Sequence, residues 1–90
     1  MPYRSRLAIY ADMLQVIMEE GDACPTRVLQ RANLSWDRLN RYLNDLKERD
    51  LVEEVPKEDS KIYRITEKGR QFLREFERMR RVLEAFGFDI

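Results

Sequence analysis

The sequence predicts an α+β fold: three helices and a two-stranded β-hairpin, followed by a longer fourth helix. Three observations carry that prediction. Apolar residues recur at helical spacing in four stretches. The period shifts to that of strands over residues 51–55 and 61–65, on either side of the polar stretch 56–60. Ser5, Ser35 and Thr66 each stand where a helix needs an N-cap.

The first helix is expected from Ser5 to the C-cap signal Gly21. Leu7, Tyr10, Leu14, Ile17 and Met18 fall on one face, and Ile9, Met13 and Val16 widen it. So broad an apolar face belongs to a helix central in its own domain or shared with a partner. Residues 22–24 read as a short connection. Pro25 pre-sets the first turn of a second helix, 25–32, with Val28 and Leu29 inward. Asn33 ends it, Leu34 tucks into the core, and Ser35 caps the third helix, 36–49. That helix buries Leu39, Tyr42, Leu43 and Leu46 and turns Asp37, Arg41, Asn44 and Glu48 outward, with Arg38 and Asn40 at the edges. The hairpin follows, with residues 56–60 as its loop. Thr66 caps the last helix, 67–86, whose early Gly69 marks either cheap fraying or close packing.

Composition narrows the function. Ninety residues, 43% hydrophobic and 38% charged, can bury one core. The chain has no histidine, which removes the commonest general base and the commonest zinc ligand, and its single cysteine excludes an intrachain disulfide. Adjacent carboxylates such as Glu19-Glu20 and Glu53-Glu54 do not share a face, so they form no acid/base pair. The expectation is a non-enzyme without metal or cofactor. No apolar run approaches the ~20 residues of a membrane span, and the start lacks a signal peptide's apolar stretch, so a cytoplasmic setting is expected. Seventeen Lys+Arg balance seventeen Asp+Glu, but unevenly: residues 43–60 hold seven acids against three bases, and residues 61–81 eight bases against three acids. A basic surface can therefore exist on a neutral chain.

Two helices joined by a tight turn and followed at once by a hairpin form the layout of a winged helix-turn-helix. There the second helix of the pair enters the DNA major groove and the hairpin loop reaches flanking backbone. Arg38, Asn40, Arg41 and Asn44 suit base reading, because arginine can donate twice to guanine and asparagine can pair with adenine. Asp37 and Glu48 on the same face oppose phosphate. Ser35 and the free N–H groups behind Trp36 can hold a phosphate, as can Lys57 and Lys61 at the loop, although Glu58 and Asp59 lie between the two lysines. Trp36 either packs or meets the DNA backbone.

In the last helix Phe72, Phe76, Met79, Leu83 and Phe86 are spaced four, three, four and three, the a/d seam of a short coiled coil. A homodimer through residues 67–90 is expected, joined to a DNA-binding domain at 5–66. The competing arrangement folds this helix back on its own domain. Arg70, Arg74, Arg78 and Arg81 line the other side as a solvated face or a second backbone contact.

Several runs carry a resemblance: Ser5-Arg6-Leu7, Thr26-Arg27-Val28, Ala32-Asn33-Leu34-Ser35-Trp36, Tyr42-Leu43, Leu51-Val52 and Tyr63-Arg64-Ile65-Thr66-Glu67-Lys68-Gly69. Together they resemble the small archaeal winged helix-turn-helix proteins over nearly the whole chain. The resemblance implies binding of double-stranded DNA and dimerisation through an antiparallel C-terminal coiled coil. Family members often carry glycine just before the first strand, where this chain has Asp50. Chromatin-type members are more basic with a longer final helix, so a regulator of few targets is expected ahead of a nucleoid-architectural protein. The alternative is a winged-helix interaction module that does not bind DNA.

Overall fold

The computed structural model describes residues 5–89. Its order is α1 (Arg6–Glu20), α2 (Pro25–Ala32), α3 (Trp36–Glu48), β1 (Val52–Lys57), β2 (Ser60–Ile65) and α4 (Glu67–Ala85). Ser5 accepts the Ala8 N–H at 3.1 Å, and Gly21, at φ 80°, returns its N–H to the Ile17 carbonyl. Between these caps α1 buries eight residues, including Met13, Leu14 and Ile17 with no exposed surface. It is the central helix, in contact with α2, α4 and β2. Leu7 and Met18 depart from the expected buried face. Eleven residues apart, they lie on one line of the helix, and both are exposed.

Asn33 takes the left-handed conformation (φ 57°) that ends α2, and Leu34 is buried in the turn. Ser35 then accepts the Arg38 N–H, starting α3 with the four expected residues inward. Asp50, at φ 66°, occupies the left-handed position before β1. Aspartate tolerates that region better than most non-glycine residues.

The hairpin is longer and its turn tighter than the sequence suggests. Register runs from Val52↔Ile65 to Lys57↔Ser60, leaving only Glu58 and Asp59 as the turn. Two-residue turns match the twist of paired strands. Pro56 is tolerated in β1 because that strand pairs on one side only. Residues 22–24 are also more than a connection. Ala23 donates to the Tyr63 carbonyl at 2.9 Å and accepts its N–H at 2.8 Å, adding a one-residue third strand to the other edge of β2.

Thr66 caps α4 and ties it to the start of the hairpin: its hydroxyl accepts the Gly69 N–H at 2.9 Å and donates to the Asp50 carbonyl at 2.6 Å. Gly69 is there for close packing. A Cβ on it would stand 2.1 Å from the Leu51 carbonyl oxygen. One turn on, Leu73 and Phe76 enter the core cluster. The core thus continues across residue 66, and only the far half of α4 leaves the body, giving extents of 48 × 30 × 21 Å. No helix among the described residues is long and apolar enough to cross a membrane.

Candidate nucleic-acid interface

The outer face of α3 is solvent-exposed from Ser35 to Glu48, interrupted only by the buried residues and the half-buried Asp45. The candidate side chains differ in freedom. Arg41 is tied to Asp37 at 3.2 Å and lies 5.8 Å from the Tyr42 ring centre, while the Asn44 amide donates to Glu48 at 3.2 Å. Arg38 and Asn40 have no side-chain partner among the described residues. The two positions placed at the edges of the face are therefore the most available for base edges. Trp36 is 53% exposed beside the cap. Indole, the Ser35 hydroxyl and the first N–H groups of α3 share one end of the helix.

A residue missed in the sequence belongs to this face. At ~100° per residue Lys47 falls only about 20° from Asn40. It is exposed, and its ammonium reaches Glu54 on β1 at 3.2 Å. The helical arithmetic could have found it. Nothing in the sequence could have found Asp22, in the turn after α1, as the partner of Arg64 and Lys57. Those contacts span 35 and 42 residues. Lys57 and Lys61 are exposed on the hairpin, each facing an acid: Asp22 at 4.0 Å for Lys57, Glu54 at 3.5 Å for Lys61.

The α4 seam is divided. Phe76 is buried in its own domain and Phe72 is half-buried beside it, with ring centres 6.3 Å apart. Met79, Val82 and Phe86 are exposed and Leu83 half-buried. The near half folds back on the domain, where Leu73 and Phe76 join the core cluster; beyond it Met79, Val82 and Phe86 stay exposed among the described residues. Of the arginine stripe, Arg70 and Arg74 approach Glu67 at 3.9 and 3.7 Å and Arg78 pairs with Glu75 at 2.6 Å, the pattern of a solvated face.

A winged helix-turn-helix family matches residues 3–84, nearly the whole chain. The chain belongs to that family. This winged helix is similar to Sso10a-2, a DNA-binding protein from Sulfolobus solfataricus, with 28% identity and a TM-score of 0.84, over 92% of this chain and 85% of that one. It also shares its fold with the transcriptional regulator BldR of the same organism (21% identity, TM-score 0.73, 91% of this chain and 61% of that one). FabT of Streptococcus pneumoniae, solved in complex with DNA, has 22% identity and a TM-score of 0.69 over 84% of this chain. The winged helix spans only 55% of FabT. No curated protein matches the chain in sequence.

Proposed function

We propose that the chain is a dimeric, sequence-directed DNA-binding protein acting as a transcriptional regulator in the cytoplasm, without catalysis. The observation that carries this reading is the outer face of α3. It holds two side chains suited to base reading, Arg38 and Asn40, without a side-chain partner among the described residues, next to a helix N-terminus that carries Ser35 and an exposed Trp36. Arginine and asparagine together can address both kinds of base pair. The likeness to Sso10a-2, a DNA-binding protein, supports the same reading. Dimerisation through the exposed half of α4 would double a short half-site into a selective one.

The paired acids Asp37 and Glu48 favour a second reading, an interaction module that has lost DNA binding. One titration separates the two. The protein is titrated by fluorescence anisotropy, over a salt series, against a duplex selected from a random pool and against random duplex. A regulator binds the selected site at least ~10³-fold more tightly. Arg38→Ala then costs ~1–3 kcal/mol on the selected site and relaxes the preference at one base position, with a smaller loss for Arg41→Ala. Equal, tight affinity for both duplexes would make the protein architectural. No binding to either would leave the interaction module.

A further inference from the structure

Four cations around the hairpin are held by two carboxylates. Asp22 clasps Arg64 of β2, and its Oδ2 lies 4.0 Å from Lys57 Nζ on β1. Glu54 takes Lys47 of α3 on Oε1 at 3.2 Å and Lys61 of β2 on Oε2 at 3.5 Å, while the Tyr63 hydroxyl donates to Oε1 at 3.3 Å. The Arg64 hydrogen bond holds the Asp22 carboxyl below its ordinary range, and the Lys47 hydrogen bond does the same for Glu54. Both acids are therefore charged at neutral pH. The cations keep 44–65% of their side-chain surface exposed, so the pairs contribute little to folding and the ammonium and guanidinium groups stay within reach of an anion.

We propose that Asp22 and Glu54 are built-in counter-ions that restrain the affinity of the wing and of α3 for the DNA backbone. This rests on the DNA-binding reading above. A phosphate that takes Lys47, Lys57, Lys61 or Arg64 competes with a carboxylate already beside that cation, so one anion is exchanged for another. The freed carboxylate gathers cations from solution and cancels part of the counter-ion release that drives backbone binding. The two acids thus weaken the phosphate contribution to every sequence alike. Base contacts made by Arg38 and Asn40 lie outside the clasps, so base preference is untouched.

The test uses Asp22→Asn and Glu54→Gln in the full chain, singly and together, with the selected and random duplexes. Each substitution keeps the side-chain shape and removes the charge. The double variant should bind both duplexes about tenfold or more tightly at moderate salt, with log K against log salt steeper by ~0.9 for each further phosphate neutralised. The ratio of the two affinities should stay as in the parent. A change that merely loosened the hairpin would lower affinity instead. Thermal melts check folding, and Glu54→Gln carries the test if Asp22→Asn loses the Arg64 link and unfolds. If the parent binds DNA and the variants bind it no more tightly at the same salt slope, the counter-ion role is overturned and the DNA reading stands. If parent and variants bind no duplex at all, both fall together.

Discussion

Tyr10 shows how much a single side chain can carry that its sequence position conceals. In the sequence it is one more apolar ring on the stripe of α1. In the structure it is 4% exposed, its hydroxyl donates to Asp45 of α3 at 2.5 Å, and its ring meets Tyr42 edge-on at 5.4 Å. Burial first, and then the Asp45 bond, push the phenol up to about 12. Ionised Tyr10 would place its charge against a carboxylate in a poorly solvated site. The sign follows. Below pH ~10 the folded and unfolded chains both hold the proton and the stabilisation is complete. Between about 10 and 12 the unfolded chain loses it while the folded one does not, so stability falls as pH rises. Across that window up to roughly 2–3 kcal/mol is lost. Urea melts of parent and Tyr10→Phe, from pH 9 to 12, should show a difference that shrinks toward high pH; a constant difference would mean that no such link forms. The sequence made Tyr10 legible as core. The partner of its hydroxyl, 35 residues away, was not legible.

At the scale of the element, legibility follows the length of the periodic signal. The four helices were plain because each repeats its pattern over two turns or more and either follows a capping residue or, in α2, opens on the helix-starting Pro25. The hairpin was legible in kind but not in extent. Pro56 and the four polar residues after it look like loop, and only pairing with β2 makes Pro56, Lys57 and Ser60 part of the strands. Ala23, with a single bridged residue, has no period to read. The junction of hairpin and α4 is the tightest of these contacts, and it allows a direct test. Gly69→Ala drives a methyl against the Leu51 carbonyl oxygen, a backbone atom that cannot rotate away, with the Ile65 side chain on another flank. Helix propensity favours alanine by ~1 kcal/mol, yet overpacking should win, for a net loss of ~1–3 kcal/mol in denaturant melts. A neutral or stabilising outcome would mean that α4 sits farther from the hairpin.

For the whole molecule, the seam of α4 marks where sequence reasoning reached its limit. A four-three repeat states that one side is apolar and says nothing of which body covers it. The domain covers Phe76; Phe86 is 76% exposed. Glutamate at these two positions should therefore give opposite results. Phe76→Glu buries an unpaired charge in the core and should unfold the domain. Phe86→Glu should leave the melt of the isolated chain near that of the parent and shift sedimentation toward monomer. If Phe86→Glu sediments as the parent does at tens of micromolar, the far half of α4 is not the dimer contact. The candidate DNA face had a similar limit. Residue types on α3 named the candidates, but only the structure sorts Arg41 and Asn44, held by acids one turn away, from Arg38 and Asn40, which no side chain among the described residues holds.

The double anchoring of Thr66 and the seating of Gly69 on Leu51 have one more consequence. They fasten the first turn of α4 to the base of the hairpin, so the arm cannot swivel on a hinge. At ~1.5 Å per residue its 19 residues run ~28 Å, and the far half of that length is the spar beyond the core. In the proposed dimer, two heads carried on such spars would work as a rigid calliper. A calliper measures rotation around the duplex as well as distance along it. Because the groove returns to the same side only every ~34–36 Å, half a turn inserted between half-sites would present the second head with the far side of the helix.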